Sequence, residues 1–276
     1  MAARMTQGTR SPRVERIPAQ RQAMILEHLQ QSQAASLQEL SKSIGASVST
    51  IRRDLDELQA RGYLERTHGG AALSSGGRAS FEVDSAIAGH IARSEKEAIG
   101  RRAAALVEPG QSVIFDSSST VLEAARAIVA RGLPITAVTN DLGIAQLLAA
   151  SRSVRLIVPG GSLRAGSPTL LGQPGERFLG DLHADLTLLG AHGFDEAVLT
   201  ETTIDAVSTK RAMIAAAART LVLADSSKAG IRSFCTICRW SEVDGLITDS
   251  ALPTERQRAL REQGLGIELA RPEPSA

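Results

Sequence analysis

The sequence predicts a small α+β module of three helices and a β wing, followed by a larger α/β domain built on a mainly parallel sheet. Three observations carry this expectation. Between Arg21 and Arg61, apolar residues recur at helical spacing with turn residues between the runs. From Ser112 onward, short apolar runs alternate with helical stretches, the pattern of a parallel sheet covered on both faces. Between the two regions stands Ser74-Ser75-Gly76-Gly77, too small and polar to anchor a core.

The expected boundaries are a disordered arm over 1–18, a helical module over 19–73, a linker over 74–80, the α/β domain over 81–270 and a tail over 271–276. The arm is Arg-rich and lacks periodicity. The first helix is expected over 21–31, with Ile25, Leu26 and Leu29 as its apolar stripe. The second starts at Ser36, where Glu39 three residues later completes a capping box, and it ends at Gly45. Ser47 caps the third, which runs to about Arg61 and turns Val48, Ile51, Leu55 and Leu58 inward. Residues 63–71 then read as two short strands of a wing. Two helical stretches are expected over 81–106, with Ser94 and Glu97 at capping-box spacing. In the second domain, strands are expected at 112–115, 135–138, 154–158, 186–189, 221–224, 246–248 and 267–269. Helices fall between them at 121–131, 142–149, 206–218 and 255–262.

Composition narrows the function class. With 276 residues, 43% hydrophobic and 22% charged, the chain has the make-up of a globular protein with a core of its own. No apolar run approaches the roughly 18 residues of a membrane span, and the first twenty residues lack the apolar stretch of a secretory signal. Two cysteines exclude a disulfide scaffold and suit a reducing cytoplasm. The net charge of +1 conceals an asymmetry: residues 1–75 hold 10 Lys+Arg against 7 Asp+Glu, the remainder 21 against 23. That imbalance is too small to argue for nucleic acid by itself. Where the arginines sit says more.

The face of the third helix opposite its apolar stripe begins Ser49, Thr50, Arg52, Arg53. Arg grips guanine edges bidentately in a major groove, and short hydroxyls bond phosphates or bases. Asp54, Asp56 and Glu57 place negative charge behind that tip, so the amino-terminal part of the helix is the expected contact surface. Arg66 and His68 in the wing are expected near the DNA backbone. The alternative is a three-helix protein-interaction bundle with a solvated charged face, because the same geometry recurs outside DNA binding.

Ser49-Thr50-Ile51-Arg52-Arg53-Asp54-Leu55, then Leu58, Gly62 and Arg66-Thr67-His68-Gly69-Gly70-Ala71, closely resemble the DeoR family of bacterial transcriptional regulators, and the resemblance continues through nearly the whole second domain. It implies a winged helix–turn–helix whose DNA contacts are Ser47, Ser49, Thr50, Arg52, Arg53, Arg66, His68 and Gly69. It also implies an effector domain similar in fold to ribose-5-phosphate isomerase and CoA-transferring proteins. The implied partners are a double-stranded DNA operator, a phosphorylated sugar or related metabolite, and a second copy of the chain as homodimer or homotetramer. Neither a cofactor nor a membrane is implied. Cytoplasmic localisation, on the nucleoid when DNA is bound, follows.

In the second domain, Asp116-Ser117-Ser118-Ser119-Thr120 links the first strand to a helix. Hydroxyls and backbone N–H groups at a helix start make either an anion site or an ordinary capping loop. Open α/β sheets bind ligands at the carboxyl ends of their strands. There Thr139-Asn140-Asp141, Gly160-Gly161 and Gly190-Ala191-His192-Gly193 are expected to converge. The chain has four Lys against 27 Arg, and Lys210 and Lys228 stand where a phosphate could be held or where a solvated surface lysine would sit. By resemblance, Asp116, Ser117, Ser118, Ser119, Thr120, Thr139, Asn140, Gly160, Gly161, Lys210 and Lys228 are the effector contacts. Ser118 departs from the family's usual glycine, which puts the shape of the phosphate nest in question.

Catalysis is not expected. Sugar-phosphate isomerisation needs a carboxylate base, and similar isomerases carry an acidic pair where this chain has His192-Gly193. Asp195 lies further on, and nothing around Glu201 specifies a nucleophile. The competing readings are an isomerase-like enzyme with an appended DNA-binding module, and an interaction scaffold. Cys235-Thr236-Ile237-Cys238 is a lone CxxC without a second ligand pair, and no histidine stands at metal-ligand spacing. Tyr63 and Trp240 are expected to pack.

Overall fold

The computed structural model describes residues 16–74 and 83–272. The arm over 1–15, most of the expected linker (75–80) and the tail from 273 lie outside the described residues. The chain divides into two compact units, Met1–Ser74 and Ser75–Ala276.

The first unit runs α1 (Pro18–Ser32), β1 (Ala34–Ser36), α2 (Leu37–Ile44), α3 (Val48–Ala60), β2 (Leu64–Thr67) and β3 (Gly70–Leu73). Ile25, Leu26 and Leu29 of α1, Leu40 and Ile44 of α2, and Ile51, Leu55 and Leu58 of α3 are all buried, so the helical stripes meet, but Val48, expected inward, is exposed at the first turn of α3. Ser36 and Glu39 form the expected capping box, and Gly45 ends α2 in the left-handed conformation. Helix α1 begins three residues before the expected start, because Pro18 opens it with its φ already set. Arg16, assigned to the arm, is held: its guanidinium donates to the Ile44 carbonyl at the end of α2 (2.6 Å).

β1 was not expected. Three residues are too few to show alternation, yet Ala34–Ser36 pairs antiparallel with β3, making the order β1-β3-β2. The backbones approach closely there: a Cβ on Gly70 would stand 1.9 Å from the Ala35 carbonyl oxygen. Gly70→Ala is expected to destabilise this unit by about 2 kcal/mol or more, since backbone cannot yield as a side chain can. Thermal unfolding of the variant measures this; an unchanged midpoint would contradict the packing described.

The second unit opens with α4 (Ser85–Ala88) and α5 (Arg93–Ala105). The expected Ser94–Glu97 capping box is not formed. The helix starts one residue earlier, Ser94 bonds Glu95, and Glu97 pairs with Arg93. Then come β4 (Ser112–Phe115), α6 (Ser119–Ala130), β5 (Ile135–Thr139), α7 (Leu142–Ala149), β6 (Val154–Ile157), β7 (Ser162–Leu163), β8 (Leu170–Leu171) and α8 (Gln173–Gly180). The chain continues through β9 (Leu186–Gly190), β10 (Gly193–Phe194), β11 (Val198–Glu201), α9 (Ile204–Ala215), β12 (Thr220–Leu223), β13 (Cys235–Arg239), β14 (Gly245–Asp249), α10 (Thr254–Glu262) and β15 (Gly266–Ala270).

All seven expected strands join one sheet, ordered β15-β14-β12-β9-β4-β5-β6 and parallel at every pairing. Its strands bury both faces. Val113, Phe115, Leu188, Leu221 and Leu223 pack with Ile99, Ala124, Ile128 and Ile144 on one side. Ile114 meets Leu179 and Met213 on the other, where Leu189, Val222 and Leu246 pack with Leu260. Two features went unread in the sequence: the β7–β8 hairpin followed by α8, and a small antiparallel sheet ordered β10-β11-β13. Trp240 packs edge-to-face on Phe194 with ring centroids 5.6 Å apart, and Tyr63 is buried in the first unit.

Candidate functional sites

In the first unit the reading surface is built on α3. Ser47 caps the helix by accepting the Thr50 N–H (3.1 Å), and its hydroxyl also bonds those of Ser49 (2.9 Å) and Thr50 (2.8 Å). Ser49, Arg52, Arg53 and Asp56 then form an exposed stripe, while Ile51 and Leu55 turn inward. Neither Arg52 nor Arg53 makes an ion pair among the described residues. His68 and Gly69 are exposed at the turn between β2 and β3, with the Gly69 carbonyl accepting from Leu37 N–H (2.8 Å).

The acidic residues behind the tip are not free negative charge, as the sequence reading had it. Asp54 is buried and takes both oxygens to Arg21 of α1 (2.8 and 3.0 Å). Burial opposes the charge on Arg21, but the Asp54 hydrogen bond outweighs it and raises its pKa further. Glu57 accepts from Gln22 (2.7 Å), and Asp56 pairs with Arg66 of the wing at 3.3 Å. Arg66 is therefore half-buried and tied to α3, unlike the two exposed arginines.

The second site lies where the sheet order reverses. β4 neighbours β5 on one side and β9 on the other, so a crevice opens at their carboxyl ends. A small open cleft occurs there, lined by Asp116, Ser117, Asn140, Arg164, Thr169, Leu171, Glu201, Ala206, Thr209 and Lys210. Asp116 follows β4 and accepts the Gly190 N–H at the end of β9 (2.8 Å). Lys210, on α9, donates to Asp116 and to the Gly190 carbonyl (3.0 Å), and stands 3.5 Å from Glu201.

These charges are buried together, and each responds differently. For Lys210, burial works against the charge, but Asp116 and Glu201 prevail and keep it protonated well above neutrality. For Glu201, burial is outweighed by Lys210 and by the Thr202 donors, and its pKa falls below the usual range. Asp116 carries the desolvation: burial outweighs Lys210 and raises its pKa.

Of the expected effector contacts, Asp116, Ser117, Asn140 and Lys210 line this cleft. Ser118, Ser119, Thr120, Thr139, Gly160, Gly161 and Lys228 do not, for local reasons. Ser118 is the cap of α6 and accepts the Thr120 N–H (3.2 Å), so the capping reading describes this end of the loop. Its backbone is ordinary extended (φ −157°), and its side chain rests over Gly190, where any Cβ would lie 2.4 Å from its own. The departure from glycine therefore fills space beside Gly190 and leaves the cleft wall to Ser117. Thr139 turns its hydroxyl to the Asp141 N–H (3.1 Å). Gly161 lets the chain pass close to β8, and the Gly160 carbonyl lies against Gly175 of α8. Lys228 ends a short turn after β12.

Arg164, Thr169, Leu171, Glu201, Ala206 and Thr209 line the cleft without having been expected as contacts. Three of them come from the β7–β8 hairpin, whose strands are too short for a periodic signal. Asp195 bonds Arg232 and two backbone N–H groups, which together outweigh burial and lower its pKa, and it does not line the cleft. Cys235 and Cys238 are free thiols on β13, with burial pushing Cys238 up to about 12, which leaves it no thiolate near neutral pH.

Comparison with known proteins bears on both sites. Residues 21–76 match the model of the DeoR-like helix-turn-helix domain, and residues 91–250 that of the DeoR C terminal sensor domain. HTH-type transcriptional regulator GlpR of Haloferax volcanii is 35% identical over 91% of this chain and 97% of that protein. HTH-type transcriptional regulator GolR of Listeria innocua is 32% identical over 92% and 99%. The glycerol-3-phosphate regulon repressor of Escherichia coli is 31% identical over 91% and 98%. Among solved structures, ribose 5-phosphate isomerase from Methanocaldococcus jannaschii aligns over 50% of this chain and 54% of that one, at 17% identity and a TM-score of 0.37, too distant to inform the site.

Proposed function

The chain belongs to the DeoR family of transcriptional regulators, and from that premise we propose that it represses a carbohydrate-metabolism operon until a phosphorylated sugar or related metabolite occupies the cleft at the sheet's switch point. The observation that carries the DNA half is the Arg52–Arg53 pair, exposed on the front turns of a capped helix whose opposite face buries Ile51, Leu55 and Leu58. Ser47, Ser49, Thr50, His68 and Gly69 flank it, and Arg66 supports it from the wing. One such module buries too little DNA for specificity, so a homodimer or larger assembly on repeated half-sites completes the reader. The protein acts in the cytoplasm, on the nucleoid when bound.

Regulation requires that the ligand bind the DNA-released state more tightly than the DNA-bound one. The sensor domain binds without turnover in this reading. Glu201 is held ionised in the cleft beside Lys210, which favours the isomerase-like alternative, but His192 and Gly193 stand where similar isomerases carry an acidic pair. Conversion of ribose 5-phosphate by the purified protein would decide for the alternative.

A gel shift with DNA from the protein's own promoter region, with and without phosphorylated sugars, tests the proposal. If each dimer neutralises about six to ten phosphates, affinity is expected to fall by about 10³–10⁵ between 50 and 200 mM salt. A flat salt response would contradict a backbone-anchored reader.

A further inference from the structure

The hydroxyl groups of the cleft are lopsided in their hydrogen bonding. Lys210 has three N–H groups and three acceptors around it: Asp116, the Gly190 carbonyl and Glu201. Ser117 spends its one proton on Asp141 (2.7 Å), so Thr169 must donate to Ser117 (2.5 Å) and Ser167 to Thr169 (2.6 Å). Thr209 gives its proton to Glu176 (3.2 Å). The hydroxyls of Ser117, Thr169 and Thr209 therefore retain lone pairs for a ligand but no protons. Asn140 sharpens the point. Only 2% exposed, it donates through Nδ2 to the Leu170 carbonyl (3.0 Å), which fixes the orientation of its amide. Its Oδ1 is buried with no hydrogen-bond partner, on a residue that lines the cleft. An orphaned buried acceptor is costly unless a ligand supplies the missing donor.

We propose that Asn140 is a specificity-determining residue of the cleft: its Oδ1 accepts a hydroxyl of the ligand, which enters with its polyol end toward Asn140, Asp116 and Glu201. The inference rests on reading this cleft as the effector site. It adds a polarity to that reading. An anionic group is repelled by the two carboxylates, so a phosphate sits at the end of the cleft away from them.

The test is calorimetric titration of the full chain with glycerol, glycerol 3-phosphate, ribose 5-phosphate, methyl phosphate and inorganic phosphate, on the wild type, Asn140→Leu and Asn140→Ala. Glycerol 3-phosphate or ribose 5-phosphate is expected to bind the wild type at least tenfold tighter than methyl phosphate, a comparison that needs no variant to fold. In both variants, polyol-phosphate affinity is expected to fall about 10- to 100-fold, the consequence of one lost buried hydrogen bond. Far-UV circular dichroism and a cooperative thermal transition report that the variants fold. Equal affinity for methyl phosphate and the polyol esters, or polyol-ester binding indifferent to residue 140, would overturn the proposal while leaving the phosphorylated-effector reading intact. Asn140-dependent binding of glycerol with no response to any phosphate ester would do the reverse. No binding by any compound up to millimolar concentration overturns both.

Discussion

Arg52→Ala and Arg53→Ala are each expected to weaken operator binding about 10- to 100-fold, and the double variant to abolish a specific footprint. The magnitude follows from the about 1–3 kcal/mol that a bidentate arginine–guanine contact contributes to discrimination. Both side chains are exposed and neither is ion-paired among the described residues, so the substitutions remove no internal support. Unfolding free energies should therefore stay within about 0.5 kcal/mol of wild type. The salt dependence separates two roles. An arginine that reads bases relaxes sequence preference at one position, whereas one that holds phosphate lowers affinity on all sequences and reduces the salt slope by about one. Unchanged footprints for both variants would remove α3 as the reading helix.

Lys210→Met is expected to cost about 3–5 kcal/mol of stability, because it leaves two buried carboxylates facing each other without their shared ammonium. For a domain of this size, that is a fall of roughly 10 °C in the midpoint of thermal unfolding. Adding Asp116→Asn should recover part of the loss. Asp116 carries the unfavourable desolvation of the group, and the amide removes one of the two unpaired charges. A double variant no more stable than Lys210→Met alone would show that Glu201, and not Asp116, governs the energetics. Operator binding is the second readout: a purely structural lysine would change it only through the folded fraction.

What could be read in advance followed physical regularity. The three helices of the first unit and the seven strands of the parallel sheet were legible because each repeats an apolar pattern long enough to count, and strands buried on both faces have a continuous signal. Ser36 with Glu39 was readable as a cap because the local pair satisfies itself. Ser94 with Glu97 shows the limit of that rule: the same spacing fails when Arg93 takes the glutamate and the helix starts a residue earlier. Ser118–Thr120 attracted a ligand reading through their place after a strand of an open sheet and through resemblance, whereas the geometry spends Ser118 on the helix start. The other wall of the cleft was illegible. Arg164, Thr169 and Leu171 belong to a hairpin of two-residue strands, and no pattern connects them to Asp116 or Asn140 until the sheet is folded. Lys210 was noticed for being a rare lysine, but its two carboxylate neighbours are distant in sequence and could not be assigned to it.

Arg21 grips both oxygens of Asp54, and Gln22 holds Glu57 one turn further along. Two restraints a helical turn apart prevent α3 from rolling about its long axis or sliding along α1. The operator therefore meets a stiff die whose teeth keep a constant pitch. Imperfect half-sites must be accommodated by bending or twisting of the duplex itself, so bases that no side chain touches will still influence how well a site is occupied.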